Sequence, residues 1–232
     1  MKDLYRFPLS PEVVVAVDLQ HVRHIPQEFK DRIDEIWAAK QMNRSLFESP
    51  IVSLVQYSPT HLIGELVDFS AWYACGVDPL LQKSLDIHPL AVTGRTIWQN
   101  KILIGKRSAT LVAMRGVMEC CPSGSIDQSS LSKEGIADLR RAIMSELEEE
   151  AGIPGSCVKS ITSKDLYLSA ESGVFDIHLD VVLFPDAEVS ALKSPLREYD
   201  ELVWVDKGEA ETVFPKRQWV PLSRYLLQEP LL

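Results

Sequence analysis

The sequence predicts a mixed α/β protein, and three observations carry that prediction. Short runs rich in valine, isoleucine and leucine recur at strand length. Between them stand segments whose apolar residues fall at three- and four-residue steps. Proline, glycine, asparagine and serine clusters separate the two kinds. The 232 residues are 46% hydrophobic and 25% charged, a composition that can bury a core and excludes disorder throughout. With 24 Lys+Arg against 33 Asp+Glu the net charge is −9, which argues against a broad phosphate-gripping surface and so against DNA as a partner.

In chain order, valine-rich Val13 to Asp18 reads as a strand. Pro26 to Asn43 reads as a helix with Phe29, Ile33, Ile36 and Trp37 on one stripe. Ile51 to Tyr57 and His61 to Asp68 are strands joined through Ser58-Pro59-Thr60, and Phe69 to Lys83 is helical with a break near Gly76 and Pro79. Leu90 to Trp98 and Ile102 to Lys106 form a hairpin around Gln99-Asn100-Lys101. Val112 to Cys121 is a strand ending at Pro122-Ser123-Gly124. Ser132 to Ala151 is the clearest helix: Ile136, Leu139, Ile143, Leu147 and Ala151 hold its period, and Gly152 and Pro154 stop it. Strands at Lys164 to Ser169, Phe175 to Phe184 and Glu201 to Val205 follow, then a closing helix over Lys216 to Gln228. A soft boundary near residues 86–89 divides a smaller α/β domain (1–88) from one of ordinary size (89–232). The aromatic residues of the first part (Trp37, Phe47, Tyr57, Phe69, Trp72 and Tyr73) could stack on a base, but at helical or strand spacing such residues are more often core.

The cysteines (Cys75, Cys120, Cys121 and Cys157) include a vicinal pair and no CxxC, which fits reduced thiols better than a disulfide framework or a zinc site. The longest early apolar run, Val13 to Val17, is too short for a signal peptide, and no run approaches a membrane span. A cytoplasmic protein with no membrane partner is the expectation.

The informative peptide is Ser145 to Ile153, where Glu146, Glu148, Glu149 and Glu150 crowd one helix end. At about 100° per residue, Glu146, Glu149 and Glu150 share an arc of roughly 100° and Glu148 points away. Like charges at i, i+4 cost a helix about 0.2–0.5 kcal/mol per pair. Anions in the last turn oppose the dipole by about 0.3–1 kcal/mol each. No lysine or arginine lies between Glu146 and Gly155 to relieve either term. A solvated acidic face and a hard divalent cation site both remain open on this pattern; the cation would relieve both costs.

The stretch Glu146 to Ile153 resembles the second half of the Nudix hydrolase motif, G-x5-E-x7-R-E-U-x-E-E-x-G-U with U a bulky aliphatic, matching every specified position from the glutamate after the arginine onward. Met118 to Asp127 resembles the strand-to-loop entry of that motif, Ala91 to Arg107 the family's first two strands, and Glu198 to Val205 its late strand. The resemblance spans about residues 89–228. It implies an α/β/α sandwich around a mixed sheet and hydrolysis of a nucleoside diphosphate linked to another moiety. It further implies Mg²⁺ or Mn²⁺ held by Glu146, Glu149 and Glu150 with a backbone carbonyl from the Gly124 region. Glu149 is the first choice for general base, Glu171 a weaker one, and Arg107 would meet substrate phosphate. The extension and Asp86 to Gly94 are similar to the branch acting on nucleotide sugars such as UDP-glucose and UDP-galactose. The alternatives are an ADP-ribose-type diphosphatase and a non-catalytic module binding a nucleotide or a protein; the reading also admits a homodimer.

Two departures from the motif stand out. The family's arginine is Ser145 here and its upstream glutamate falls at Ala137; in the family these two brace the loop against the helix. The loop is also longer, with 22 steps from Gly124 to Glu146 where the motif has 15, an excess of seven. Glu134 or Asp138 with Arg141 would make a shifted brace, although an ordinary surface pair is the preferred reading. In place of E-x-P the chain has Glu119-Cys120-Cys121-Pro122, which moves the acid to the other strand face, so Glu119 is not assigned as a ligand. The scattered histidines form no HExxH or triad, and there is no GxSxG elbow or Walker loop.

Overall fold

The computed structural model describes residues 4–41, 49–111, 114–189, 192, 194, 198–214 and 218–229, excepting the side chains of residues 21, 41, 210 and 211. Phe47 and the ends of three expected elements (42–43, 112–113 and 216–217) lie outside the described residues. In chain order the elements are β1 (Leu4–Pro8), β2 (Val14–Val22), α1 (Gln27–Gln41), β3 (Ile51–Tyr57), β4 (His61–Val67), α2 (Phe69–Val77), α3 (Pro79–Leu85), β5 (Leu90–Trp98), β6 (Lys101–Arg107), β7 (Met118–Cys120), β8 (Ser123–Ser125), α4 (Leu139–Ala151), β9 (Val158–Ser169), β10 (Phe175–Leu183), β11 (Tyr199–Asp206), α5 (Ala210–Val213) and α6 (Pro221–Gln228).

The large sheet runs β1-β9-β10-β5-β6-β11, with β7 added to β6 and β8 to β5. It is mixed, because β10 and β5 run parallel while the other pairs are antiparallel. Side-chain alternation assigns its two faces. Leu103, Cys121 and Leu166 join the core around Ile143 and Leu147 of α4. Their neighbours Ile102, Ile104, Cys120 and Tyr167 join the core around Leu222 and Leu226 of α6. The fold is thus an α/β/α sandwich about a mixed sheet. On the α4 side the approach is close: a Cβ at Gly94 would lie 2.8 Å from Pro122 Cδ and 3.2 Å from Ile143 Cδ1, so a side chain there would push on both.

A second sheet, β2-β4-β3, has three strands. Its residues Val15, Val17, Val52, Leu62 and Leu66 pack in the same core as Leu90 and Ile143. A third cluster joins α1, α2 and α3 through Ile33, Ala71, Cys75 and Leu81. Trp37, Phe69, Trp72 and Tyr73 pack edge-to-face there. Asp86, left-handed at φ 48°, caps α3 at the foot of the expected boundary.

Several elements differ from the sequence reading, among them the closing helix, which starts at Pro221 rather than Lys216, and β8, expected as a turn. The long helix starts at Leu139, because Gly135 takes φ 76° and Asp138 caps α4 by accepting from Arg141 N–H, which leaves 132–138 as extended chain and turns. The short N-terminal strand β1 was not foreseen; its partner β9 begins at Val158, earlier than Lys164, since polar Lys159, Ser160 and Thr162 hide the start of the strand. The expected strand from Val112 begins only at Met118, after the positive-φ residues Met114 and Gly116. Among the described residues no helix is long and apolar enough to cross a membrane.

Candidate metal and diphosphate site

The C-terminal turns of α4 carry the four glutamates, and the core stripe of the helix decides which are buried. Glu150 stands seven residues after Ile143, on the same side as Leu147 and Ala151, and is 1% exposed. Glu146, one turn earlier, is half-buried; Glu148 and Glu149 are exposed. Glu149 Oε1 accepts from the hydroxyl of Ser145, the residue at the motif's arginine position, at 2.8 Å.

Opposite α4, β8 brings Gly124 beneath Glu146 by pairing with Val92 of β5. A Cβ at Gly124 would collide with Glu146 Oε1 and lie 2.7 Å from Oε2. The glycine is therefore a cradle for that carboxylate. Ser123 N–H donates to Glu150 Oε2 at 3.0 Å, Tyr199 OH donates to the same oxygen at 3.2 Å, and Cys121 Sγ lies 3.6 Å from it. Glu150 Oε1 is buried with no hydrogen-bond partner among the described residues. Such an orphan is costly in a folded core unless something else takes it up.

A second carboxylate meets Glu150 across Tyr199. Glu119 is 4% exposed; its Oε1 accepts from Arg107 Nη1 at 2.6 Å and lies 2.8 Å from Tyr199 OH, whose single proton is shared between this oxygen and Glu150 Oε2. The register explains the meeting: Glu119 pairs with Gly105 on β6, and Tyr199 pairs with Arg107 two residues on, so all four share one face. A Cβ at Gly105 would collide with the Tyr199 ring. The displacement read from Glu119-Cys120-Cys121-Pro122 is present, but the face it reaches is the one against α4. Glu119 therefore belongs to this cluster, and a count of strand parity from Cys121, which packs under α4, was the signal that could have found it.

The electrostatics follow from burial and like charge. Burial pushes the Glu146 carboxyl up to about 7, with Glu149, Glu198 and Asp127 adding to it. Glu150 is raised well above its ordinary value, first by burial and then by Glu119, Glu146 and Glu198, against the bond from Ser123. Nearby, Thr93 Oγ1 donates to Asp176 at 2.9 Å and approaches Ser123 Oγ at 3.2 Å. Burial pushes Asp176 up to about 7. Sequence reading had no signal for Asp176, whose role depends on the parallel β5–β10 pairing.

Arg107, expected at substrate phosphate, spends its Nη1 on Glu119 while its buried Nε has no partner. Glu171 lies exposed on the β9–β10 turn, and no hydrogen bond or ion pair joins it to the described residues of the cluster. Asp138 and Arg141 form no side-chain pair: Asp138 is the helix cap. Among the described residues, no three His, Cys, Asp or Glu side chains form a ready metal-holding group. What the residues do offer a divalent cation is oxygen chemistry. Among the described residues no ion pair reaches Glu146 or Glu150, which lie on one helical row; one buried oxygen is without a hydrogen-bond partner, and a backbone cradle lies beneath. Carboxylate and carbonyl oxygens are donors that suit a hard cation rather than a soft one.

No protein-family profile matches the chain, and no curated protein matches it. Solved structures similar to it include a Nudix hydrolase from Nitrosomonas europaea, at 19% identity over 61% of this chain and 69% of that one with a TM-score of 0.43. Another is a bifunctional NMN adenylyltransferase/ADP ribose pyrophosphatase from Francisella tularensis complexed with AMP and a manganese ion, at 13% identity over 68% of this chain with a TM-score of 0.47. The match spans 45% of that enzyme's length. The Nudix domain of Shewanella oneidensis NrtR, complexed with ADP ribose, matches at 13% identity over 68% of this chain and 94% of that one, with a TM-score of 0.44. The chemistry of the site is carried by this chain's own residues.

Proposed function

We propose that this protein is a metal-dependent diphosphatase of the Nudix type, cleaving a nucleoside diphosphate linked to another moiety. The observation that carries the reading is the uncompensated pair Glu146 and Glu150, one seated on the Gly124 cradle and the other holding an orphaned oxygen. Two carboxylates kept together, with the nearby Arg107 engaged by Glu119, are expensive, and such groups concentrate at functional sites. Glu146, Glu150 and the Gly124 region would hold Mg²⁺ or Mn²⁺, with Glu149 joining after turning from its Ser145 bond. When bound, such an ion neutralises a diphosphate and acidifies water.

The chain's own residues supply the rest. Tyr199 and Ser123 fix Glu150, so its carboxylate keeps one orientation as charge arrives. Exposed Glu149 is the first choice to accept the proton of the attacking water as the diphosphate P–O bond breaks, giving a nucleoside monophosphate and a phosphorylated moiety. Arg107, braced by Glu119, presents positive charge beside the cluster, where a phosphate would approach. Within this reading a nucleotide sugar is the preferred substrate, supported by the N-terminal extension and Asp86 to Gly94; an ADP-ribose-type substrate fits the same site.

Incubation with a panel of nucleoside diphosphate sugars and ADP-ribose, with Mg²⁺, Mn²⁺ or EDTA, tests the reading. Metal-dependent release of a nucleoside monophosphate is expected. Ligand binding without turnover, indifferent to metal, would replace the enzyme with a binding module.

A further inference from the structure

The three-stranded sheet has two edges, β2 and β3, and the segment between Gly124 and α4 bonds to both, sharing the β3 edge with Pro89, which bridges Ser53. On β3, Asp127 bridges Ile51: Val52 N–H donates to the Ile126 carbonyl at 2.8 Å, and Gln128 N–H to the Pro50 carbonyl at 3.2 Å. On β2, Ile136 bridges Ala16: Val17 N–H donates to the Gly135 carbonyl at 2.7 Å, and Ala137 N–H to the Val15 carbonyl at 2.9 Å. The two ends thus grip the sheet in the same way, by one antiparallel bridge flanked by two hydrogen bonds. Between them Asp127 Oδ1 gathers the N–H groups and hydroxyls of Ser129 and Ser130, which folds the intervening chain back.

This clasp accounts for both departures from the motif. Reaching from one edge of the sheet to the other needs a longer loop, and the excess of seven residues is used there. At the position of the family's glutamate, Ala137 is tied through its backbone to Val15, and at that of the arginine, Ser145 turns to Glu149. Gly135 is required at the β2 contact, because at φ 76° its missing Cβ would strike the Val17 carbonyl oxygen. The segment enters the candidate site at both ends: Gly124 lies two residues before Ile126, and Asp138 caps the helix that carries Glu146.

We propose that the N-terminal three-stranded sheet is the brace of the metal site. Clasped by the Gly124–Leu139 segment, it holds Gly124 under Glu146 in the way an arginine–glutamate ion pair does in the family this chain resembles. The proposal rests on the function proposed above and makes Gly135, Ala137, Val17 and Val52 positioning residues.

The test uses the full chain, Mn²⁺ as the probe, and two readouts other than turnover: Mn²⁺ affinity by titration, and amide exchange at Ser123 and Ile126. Gly135→Val should weaken Mn²⁺ binding about tenfold, the usual scale for groups that orient metal ligands, and speed exchange at both amides. Ala137→Pro removes one of the four clasp bonds and should do the same to a smaller degree, which keeps the test alive if Gly135→Val does not fold. Ile33→Ala, in the separate α1–α2–α3 cluster, should lower thermal stability and leave Mn²⁺ affinity unchanged. Wild-type affinity in either clasp variant, with the Val17 amide exchanging freely, overturns the brace. So does an equal loss of affinity in Ile33→Ala. A wild-type protein that binds no Mn²⁺ instead fells the functional reading, and exchange at Ser123 and Ile126 alone then decides the brace.

Discussion

The sheet has a buried carboxylate at each face, Asp180 on one and Glu150 on the other, and the two are handled in opposite ways. On the α6 face, Asp180 receives a two-pronged bond from Arg95, with Nε at 2.7 Å and Nη2 at 3.0 Å, while Lys164 lies 3.6 Å away and His178 3.3 Å away. Burial by itself would raise Asp180, but His178 and Arg95 hold it well below the usual carboxylate range. Arg95 also donates to the Leu226 and Glu229 carbonyls, fastening the end of α6. On the α4 face, Glu146 and Glu150 have hydrogen-bond donors or a cradle but no ion pair among the described residues, and both are raised. A compensated charge holds the fold; the carboxylates without an ion pair are the ones the proposed function gives to a cation.

Breaking the compensated side should have the largest effect on stability. Arg95→Met takes the two-pronged bond from Asp180, leaving only Lys164 and His178 beside it, and releases two carbonyls, and we expect a loss of about 3–5 kcal/mol in urea unfolding. A loss under about 1 kcal/mol would erase the contrast. The uncompensated side should respond with the opposite sign. Glu150→Gln at pH 8 without divalent ions should gain about 1 kcal/mol, because a buried charge is removed. The same variant should lose the rise in Tm that Mn²⁺ gives the wild type, measured by thermal unfolding.

The pH dependence sharpens the comparison further. Glu146 and Asp176 move from ordinary values of 4.5 and 3.8 to about 7 in the fold. The folded state therefore holds protons that the unfolded state releases, so these groups favour folding most at low pH. That contribution is lost as pH rises from about 4 through 7. Asp180, shifted down, has the reverse sign, and its contribution is lost only in acid. Saturating Mg²⁺ should flatten the Glu146 part of the slope and leave the Asp176 part, and Asp176→Asn should remove the remainder. A slope that ignores Mg²⁺ would count against the metal site. The smallest effect on stability belongs to Glu148→Gln, within about 0.5 kcal/mol. Turnover should also survive that change, whereas Glu149→Gln should abolish it; comparable loss in both would sink the assigned helix face.

Much of the candidate site was legible in the sequence. The spacing of Glu146, Leu147, Glu150 and Ala151 is local, and helical geometry turns it directly into faces. Gly152 ends α4 in the left-handed conformation at φ 67°, as its position predicts. The β5–β6 hairpin is likewise a near-neighbour contact, with Gln99 at positive φ in its turn. What could not be read came from contacts distant in the chain. Ile136 continues the apolar period of α4 but lies outside the helix, because Gly135 joins β2, more than a hundred residues upstream. Glu119 and Tyr199 meet only because β7 and β11 both depend on β6.

The sequence by itself determined the mixed α/β class, the carboxylate-bearing helix and its stop, and the opening of the loop at Gly124. Each of these rests on periodicity or turn chemistry within a few residues. Only the tertiary structure decided which carboxylates lose water, which find a cation and which do not. It alone clasped the loop on both edges of the N-terminal sheet. Burial and charge compensation are properties of what packs against a residue, and strand pairing brings those neighbours from anywhere in the chain.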